Sequence, residues 1–280
     1  MNSLPYTRAL ITGGSSGIGL AAAGYLVNRG VHVTLIARDP DRLNAARKRL
    51  LEEASSGTEV RVLPLDITDR RAVEEVLGQV VAAGNTPDLL LNCAGMAYPD
   101  YFEGLDSTIF DQTIAVNLTG TWNVLKALVP AMQPGSCIVN FSSIVGFAGL
   151  FGYTAYSASK FAVIGLSEAL RNELSIRGIR VSVICPPDTD TPQLEQENRT
   201  KPYETKAITG NAGLLTPDQV AAALFRGLRR KQFIIIPGTM GKLTYLVKRW
   251  IPGLLYRIID SDAKRAYRRR NNERSRTESR

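Results

Sequence analysis

Residues 8–19 read RALITGGSSGIG, and how that stretch is taken decides the fold. Residues 8–12, RALIT, read as a short buried strand that runs into the glycines. The apolar stretch LAAAGYLVNRG that follows suits a helix. Between the two, Gly13, Gly17 and Gly19 are spaced G-x-x-x-G-x-G. This differs from the G-x-G-x-x-G fingerprint, but the physical logic is similar. Glycines permit a tight turn, close approach of backbone to a pyrophosphate, and close packing of helix on strand. The helix N-terminus offers unpaired N–H groups and a positive dipole end to phosphates. Alone, the pattern also suits a plain strand–turn–helix corner. A second strand ending at Ala37-Arg38 makes a dinucleotide site the stronger reading.

Outward from this corner the same alternation continues. VHVTLIA, VRVLPL, DLLLN, CIVNFS, RVSVIC and FIIIP are strand-like and alternate with helical runs. Such a pattern predicts an α/β, Rossmann-type, doubly wound parallel sheet with helices on both faces. Near-continuous apolar strands are those expected to be covered on both sides. The 280 residues suffice for one large domain, and no internal repeat or Pro/Gly/Ser-rich linker divides the body. We expect a nucleotide-binding and catalytic domain over 1–240 and an amphipathic, basic helical extension over 241–280. Cys93, Cys137 and Cys185 are odd in number and lie on or beside strands, which reads as core thiols rather than a disulfide framework. His32, the single histidine, reads as structural. It leaves no histidine triad, and no metal site is expected.

Tyr156 and Lys160 stand four apart in YSASK, and Ser143 lies thirteen residues upstream in NFSSIVG. On a helix, i and i+4 share a face. A lysine beside a tyrosine favours the phenolate, so the pair is expected to lower the phenol pKa from its free value of about 10. A serine delivered from a strand end can hydrogen-bond the same substrate oxygen. The spacing selects Ser143 over its neighbour Ser142. Y-x-x-x-K by itself occurs often on exposed helix faces, and its weight comes from the glycine loop before it.

Over roughly residues 7–240 the chain resembles the short-chain dehydrogenase/reductase family. Thr12 to Gly19 match T-G-x-x-x-G-x-G; Asp66 in LPLDITD matches the adenine-contact aspartate; Asn92-Cys93-Ala94-Gly95 matches N-N-A-G with a cysteine at its second position. Asn117 in VNLTG, with Ser143, Tyr156 and Lys160, completes a catalytic tetrad. The usual Pro-Gly after the sixth strand is Pro186-Pro187, a departure. The resemblance implies a nicotinamide cofactor held by Gly13, Ser15, Ser16, Gly17, Ile18, Gly19, Asp66, Asn92, Ala94, Gly95, Tyr156, Lys160, Pro186, Thr189 and Thr191. It also implies that Tyr156 protonates the substrate oxygen, that Ser143 polarises it, and that Lys160 binds the nicotinamide ribose. Asn117 is implied to kink its helix and to hold a water that links Lys160 to solvent. The residue closing the second strand meets the adenosine ribose in this fold. Here it is Arg38, with Arg42 one turn on, so a 2′-phosphate can be gripped and NADPH is the expected cofactor. Asp39 between them complicates that reading.

A lid over the substrate is expected at about 187–215. Its PPDTDTP and ENRTKP stretches resemble the lid of the 3-ketodihydrosphingosine reductases, which implies reduction of a long-chain lipid ketone to dihydrosphingosine. A steroid, retinoid or fatty β-keto substrate is the alternative, and a non-catalytic NADP-binding protein is a third. Residues 233–259 are rich in Ile, Leu, Tyr and Trp but broken by charges and prolines, short of the ~20 apolar residues that span a bilayer. They read as two short amphipathic helices lying in an interface, with Tyr245 and Trp250 at headgroup level. Lys264 to Arg280 hold eight basic and two acidic residues, +6 of the net +8. Peripheral contact with anionic membrane is therefore expected, and no recognition motif supports nucleic acid. MNSLPYT runs directly into the first strand without a leader-like stretch, so the expected location is cytoplasmic, peripheral at a membrane. A homo-oligomer, dimer or tetramer, is implied by the family.

Overall fold

The first strand, β1 (Arg8–Thr12), lies third from one edge of a seven-stranded parallel sheet in a computed structural model that describes residues 5–209 and 213–278, with side chains to Glu273. Residues 1–4, 279–280, and 210–212 of the expected lid lie outside the described residues. The other strands are β2 (His32–Ala37), β3 (Val60–Pro64), β4 (Leu89–Asn92), β5 (Cys137–Phe141), β6 (Arg180–Ile184) and β7 (Ile234–Ile235). Their order is β3-β2-β1-β4-β5-β6-β7. Each matches an expected run to within two residues. The connecting helices are α1 (Gly17–Val27), α2 (Pro40–Glu53), α3 (Arg70–Ala82), α4 (Ser107–Ile114), α5 (Thr121–Leu128), α6 (Thr154–Ser175) and α9 (Pro217–Arg229).

Alternate strand residues face opposite ways, and the core divides accordingly. Ile11, Leu35, Leu89 and Leu91 pack against α1, α2 and α9, where Tyr25 stacks on Phe225 with ring centroids 4.2 Å apart. Leu10, Ile36, Leu90 and Ile138 face α3, α5 and α6. His32 accepts a hydrogen bond from the Glu59 amide at 3.0 Å, a structural role. Cys137 and Cys185 are buried and Cys93 partly so, all three free.

Strand order reverses between β1 and β4, and this switch point is where open α/β sheets bind ligands. Thr12 is in register with both Ile36 and Asn92, and Asn92 with Asn140. Four strand ends therefore open level at one rim. Above it lie α7 (Pro192–Thr200) and α8 (Tyr203–Thr209), a lid whose base is pinned by the Asp190 amide to the Leu215 carbonyl at 2.9 Å.

The C-terminal stretch differs from expectation. α10 (Thr239–Trp250) is short, but α11 (Pro252–Glu278) is a single helix of 27 residues that absorbs the basic tail. Arg, Lys and Ala there are good helix formers, and neither proline nor glycine interrupts them after Gly253. Tyr245 is turned inward, edge-on to Phe147 at 5.2 Å, and not outward to a headgroup layer. With Ile236 and Leu255 these residues form a third, smaller core.

Candidate active site

The glycine turn is built for close approach. Gly13 has φ +68°, which only glycine adopts without strain, and a Cβ at Gly19 would meet the Gly13 carbonyl oxygen at 2.4 Å. α1 can thus rest directly on the turn. Ser16 caps α1 but makes no side-chain capping bond, and the first turn carries no acid. With Ser15, Gly17 and Ile18 partly exposed beside it, this N-terminus suits a pyrophosphate. At the end of β2, Arg38 is exposed. The Asp39 difficulty has a structural answer. Its carboxylate caps α2, accepting from the amides of Asp41 and Arg42, and pairs with the Arg42 guanidinium at 3.3 Å. Arg38 stays exposed at the strand end, while Arg42 is engaged by Asp39.

The remaining cofactor candidates are distributed around the rim. The Asp66 carboxylate accepts from the Thr68 amide and hydroxyl. The Asn92 amide is turned inward, donating to Asn140 Oδ1 at 2.9 Å. The Ala94 amide donates to Thr12 Oγ1 at 3.1 Å, tying β4's end to β1's. A Cβ on Gly95 would lie 3.3 Å from Lys160 Nζ, so the glycine admits the lysine. Pro186's carbonyl accepts from the Ile144 amide. The Thr189 hydroxyl donates to the Pro187 carbonyl, and that of Thr191 caps α7. Thr191 lies over Gly17, so the lid reaches the glycine loop.

The tetrad assembles from three elements. Ser143 follows β5 and its hydroxyl contacts the Pro186 carbonyl at 3.4 Å. Tyr156 and Lys160 come from the first turns of α6, and the Tyr156 hydroxyl bonds to Ser143 and to Gln193 of the lid. Lys160 is 4% exposed, donates to the Phe141 carbonyl at 2.8 Å, and lies 5.6 Å from the Tyr156 ring centroid. Ser142 is turned away, donating to the Lys160 carbonyl. Asn117 sits in a π-helical turn, Ala115–Gly120, a feature common at functional sites. Its side chain bonds both backbone groups of Met96 and donates to Ser159, clamping the β4 loop to α6.

One electrostatic expectation is overturned. The Tyr156 phenol is raised above its ordinary value, not lowered. Burial is the main cause and the Glu197 carboxylate adds to it, outweighing the bonds from Ser143 and Gln193. Burial also brings Lys160 down to about 8, so it gives up its proton more readily than a free lysine.

Sequence reasoning missed Glu197, Gln193 and Tyr153. Tyr153 Oη donates to Glu197 Oε2 at 2.6 Å, and Gln193 Nε2 to Glu197 Oε1 at 2.8 Å. Their only trace in the sequence is the i,i+4 spacing of Gln193 and Glu197. The lid is also tied from outside. Glu204 on α8 is fully buried and pairs with Arg270 of α11 at 3.1 Å, and both groups meet the Tyr101 hydroxyl. Part of the basic tail is thus engaged by the lid.

Comparison with known proteins identifies the family. Residues 7–202 match the family model for short chain dehydrogenase. A bovine (Bos taurus) 3-ketodihydrosphingosine reductase is 38% identical over 228 residues, 80% of this chain and 69% of its own. One from Dictyostelium discoideum is 36% identical over 262 residues, 88% and 78% respectively. Among solved structures, a short-chain dehydrogenase from Sphingobium yanoikuyae in complex with NADPH aligns with a TM-score of 0.74 at 29% identity, over 89% of this chain and 95% of its own.

Proposed function

The chain belongs to the short-chain dehydrogenase family, and from that premise we propose that it uses NADPH to reduce 3-ketodihydrosphingosine to dihydrosphingosine. The carrying observation is the Tyr156–Ser143 hydroxyl pair beside buried Lys160 at the sheet's switch point. The relatives' names supply the substrate. Gly13 to Gly19 would hold the pyrophosphate, Arg38 the 2′-phosphate, and Lys160 the nicotinamide ribose. When bound, the reduced nicotinamide supplies the hydride.

The protein's own work is the proton and the orientation. Ser143 and Tyr156 bond the ketone oxygen and fix the carbonyl plane. As the carbonyl carbon becomes tetrahedral, Tyr156 Oη gives its proton to the developing alkoxide, leaving an alcohol and a phenolate. A raised phenol pKa suits this direction, because the acid is fully protonated at neutral pH. Lys160 stabilises the phenolate and is the route by which it regains a proton. The test is one-for-one matching of NADPH oxidation and dihydrosphingosine formation.

Cofactor choice follows from Arg38. NADPH is expected to bind about ten- to a hundredfold tighter than NADH, from a charge-assisted contact of about 1.5–3 kcal/mol. Arg38→Ala should erase most of that preference. Equal use of both cofactors by the wild type would refute the assignment.

A cytoplasmic enzyme docking on a membrane completes the reading. α10 and the start of α11 expose Met240, Leu243, Leu246, Trp250, Ile251 and Leu254, with Trp250 75% exposed. Lys242, Arg249 and Arg257 lie beside them. Among the described residues no helix is long and apolar enough to cross a membrane. An interfacial helix pair needs only one apolar face, and each basic residue adds about 1 kcal/mol near an anionic surface. Deleting the segment would strip the third core, so Leu246→Glu with Trp250→Glu is the cleaner variant. Wild type should co-sediment with anionic vesicles at low salt and the double variant several-fold less. Wild type remaining in the supernatant would favour an oligomer interface instead. For a dimer or tetramer, exposed Phe110, Trp122 and Phe161 on α4, α5 and α6 supply the apolar surface.

A further inference from the structure

Glu197 is a buried acid placed where the mechanism gives it no task. It is 7% exposed, on the lid helix α7, and it touches the tyrosine three residues before Tyr156. The Tyr153 and Tyr156 rings lie 5.8 Å apart. Both hydrogen bonds to the carboxylate come from neutral donors, Tyr153 and Gln193. Among the described residues no basic group lies within ion-pair distance of it. Arg199, the cation nearest in the chain, is exposed; Lys201 is paired with Asp188 at 3.1 Å, and Lys160 is bonded to the Phe141 carbonyl.

An unpaired charge in such a place is unfavourable, and proteins rarely keep one without a use. A carboxylate has about four acceptor positions, of which two are filled here. Burial raises its pKa, and the bonds from Tyr153 and Gln193 and the more distant Lys201 charge offset that only in part. The same carboxylate acts on Tyr156, so it lies within electrostatic reach of the reacting oxygen.

A sphingoid ketone carries an amine on the carbon next to its carbonyl. A substrate whose carbonyl is held by Tyr156 and Ser143 therefore presents that amine two bonds from the reacting carbon. We propose that Glu197 is the recognition residue for the substrate's ammonium group, accepting a charge-assisted hydrogen bond when the lid closes. Tyr153 and Gln193 orient the carboxylate for it. The enzyme is thereby selective for α-amino ketones over plain ketones. The ammonium also answers the Glu197 charge, which relieves the carboxylate's upward pull on the Tyr156 pKa. This inference rests on the amino-ketone reading above and names the residue that enforces it.

The experiment compares two ketones of equal chain length with NADPH: 3-ketodihydrosphingosine and the same hydroxy ketone without the amino group. The readout is the ratio of their kcat/KM values, which cancels general damage to the lid. Wild type should favour the amino ketone by tenfold or more. Glu197→Gln keeps the size and hydrogen-bonding ability of the side chain and removes only the charge. It should lower the ratio about ten- to a hundredfold, the worth of one charge-assisted bond. A wild-type ratio near one overturns the inference whether or not the variant folds, and so does an unchanged ratio in Glu197→Gln. In both cases reduction itself would still stand. If wild type reduces neither ketone, the parent reading fails, and the inference with it.

Discussion

Tyr156→Phe is expected to lower kcat by about 10²–10⁴-fold, the usual worth of a positioned general acid, while NADPH binding changes little. The hydroxyl is the proton donor and bonds Ser143 and Gln193, but the ring is no main anchor for the cofactor. Lys160→Ala should instead damage turnover and NADPH affinity together, since that ammonium serves the phenolate and the ribose. The pH profile separates the two groups. The raised phenol stays protonated throughout the neutral range, whereas Lys160 loses its proton near pH 8 in the cofactor-free protein. The kcat/KM for NADPH, which reports groups of the free enzyme, should therefore fall as pH rises through about 8. Steady-state kinetics from pH 6 to 10 with a fluorescence titration of NADPH would check both points. Substantial turnover by Tyr156→Phe would mean that another group supplies the proton.

Arg270→Ala is expected to destabilise the lid more than any other surface-helix change. Glu204 is 0% exposed and Arg270 20%, and the pair joins α8 to α11. Removing one partner of a buried pair leaves the other uncompensated, at about 3–5 kcal/mol. Glu273 adds a second tie by accepting from the Tyr203 hydroxyl at 3.2 Å, but this bond is exposed and weaker. Replacing both members, Arg270→Met with Glu204→Leu, should recover most of the loss, because an apolar pair leaves no stranded charge. Thermal denaturation and the KM for the ketone should move together in the single variant. An unchanged Tm in Arg270→Ala would show that α11 does not hold the lid.

The fold was legible because its signals are local. RALIT, DLLLN and CIVNF are apolar runs too short for helices, and the glycine spacing from Gly13 to Gly19 is a backbone requirement written in residue types. The tetrad was legible for the same reason: Tyr156 and Lys160 share a helix face by spacing alone, and Ser143 lies at a strand end. What escaped depends on contacts between distant segments. Glu197 meets Tyr153 across 44 residues, and Glu204 meets Arg270 across 66. Nothing in QENRT or YRRRNN shows those partners. The Tyr156 pKa was misread because a neighbouring lysine was weighed without the burial and the lid carboxylate that outweigh it. Tyr245 was misplaced because α10 carries apolar residues on both faces, and the pattern does not say which face meets Phe147.

The central claim is that this chain reduces a sphingoid ketone with NADPH. It is tested most directly by measuring kcat/KM for NADPH oxidation with 3-ketodihydrosphingosine, a steroid ketone and a fatty β-keto thioester under identical conditions. A Tyr156→Phe preparation supplies the blank. The account predicts that the sphingoid ketone exceeds both others by about a hundredfold, the combined worth of a charge-assisted contact and apolar burial of its chain. Comparable rates for all three, or preference for the steroid ketone, would contradict it.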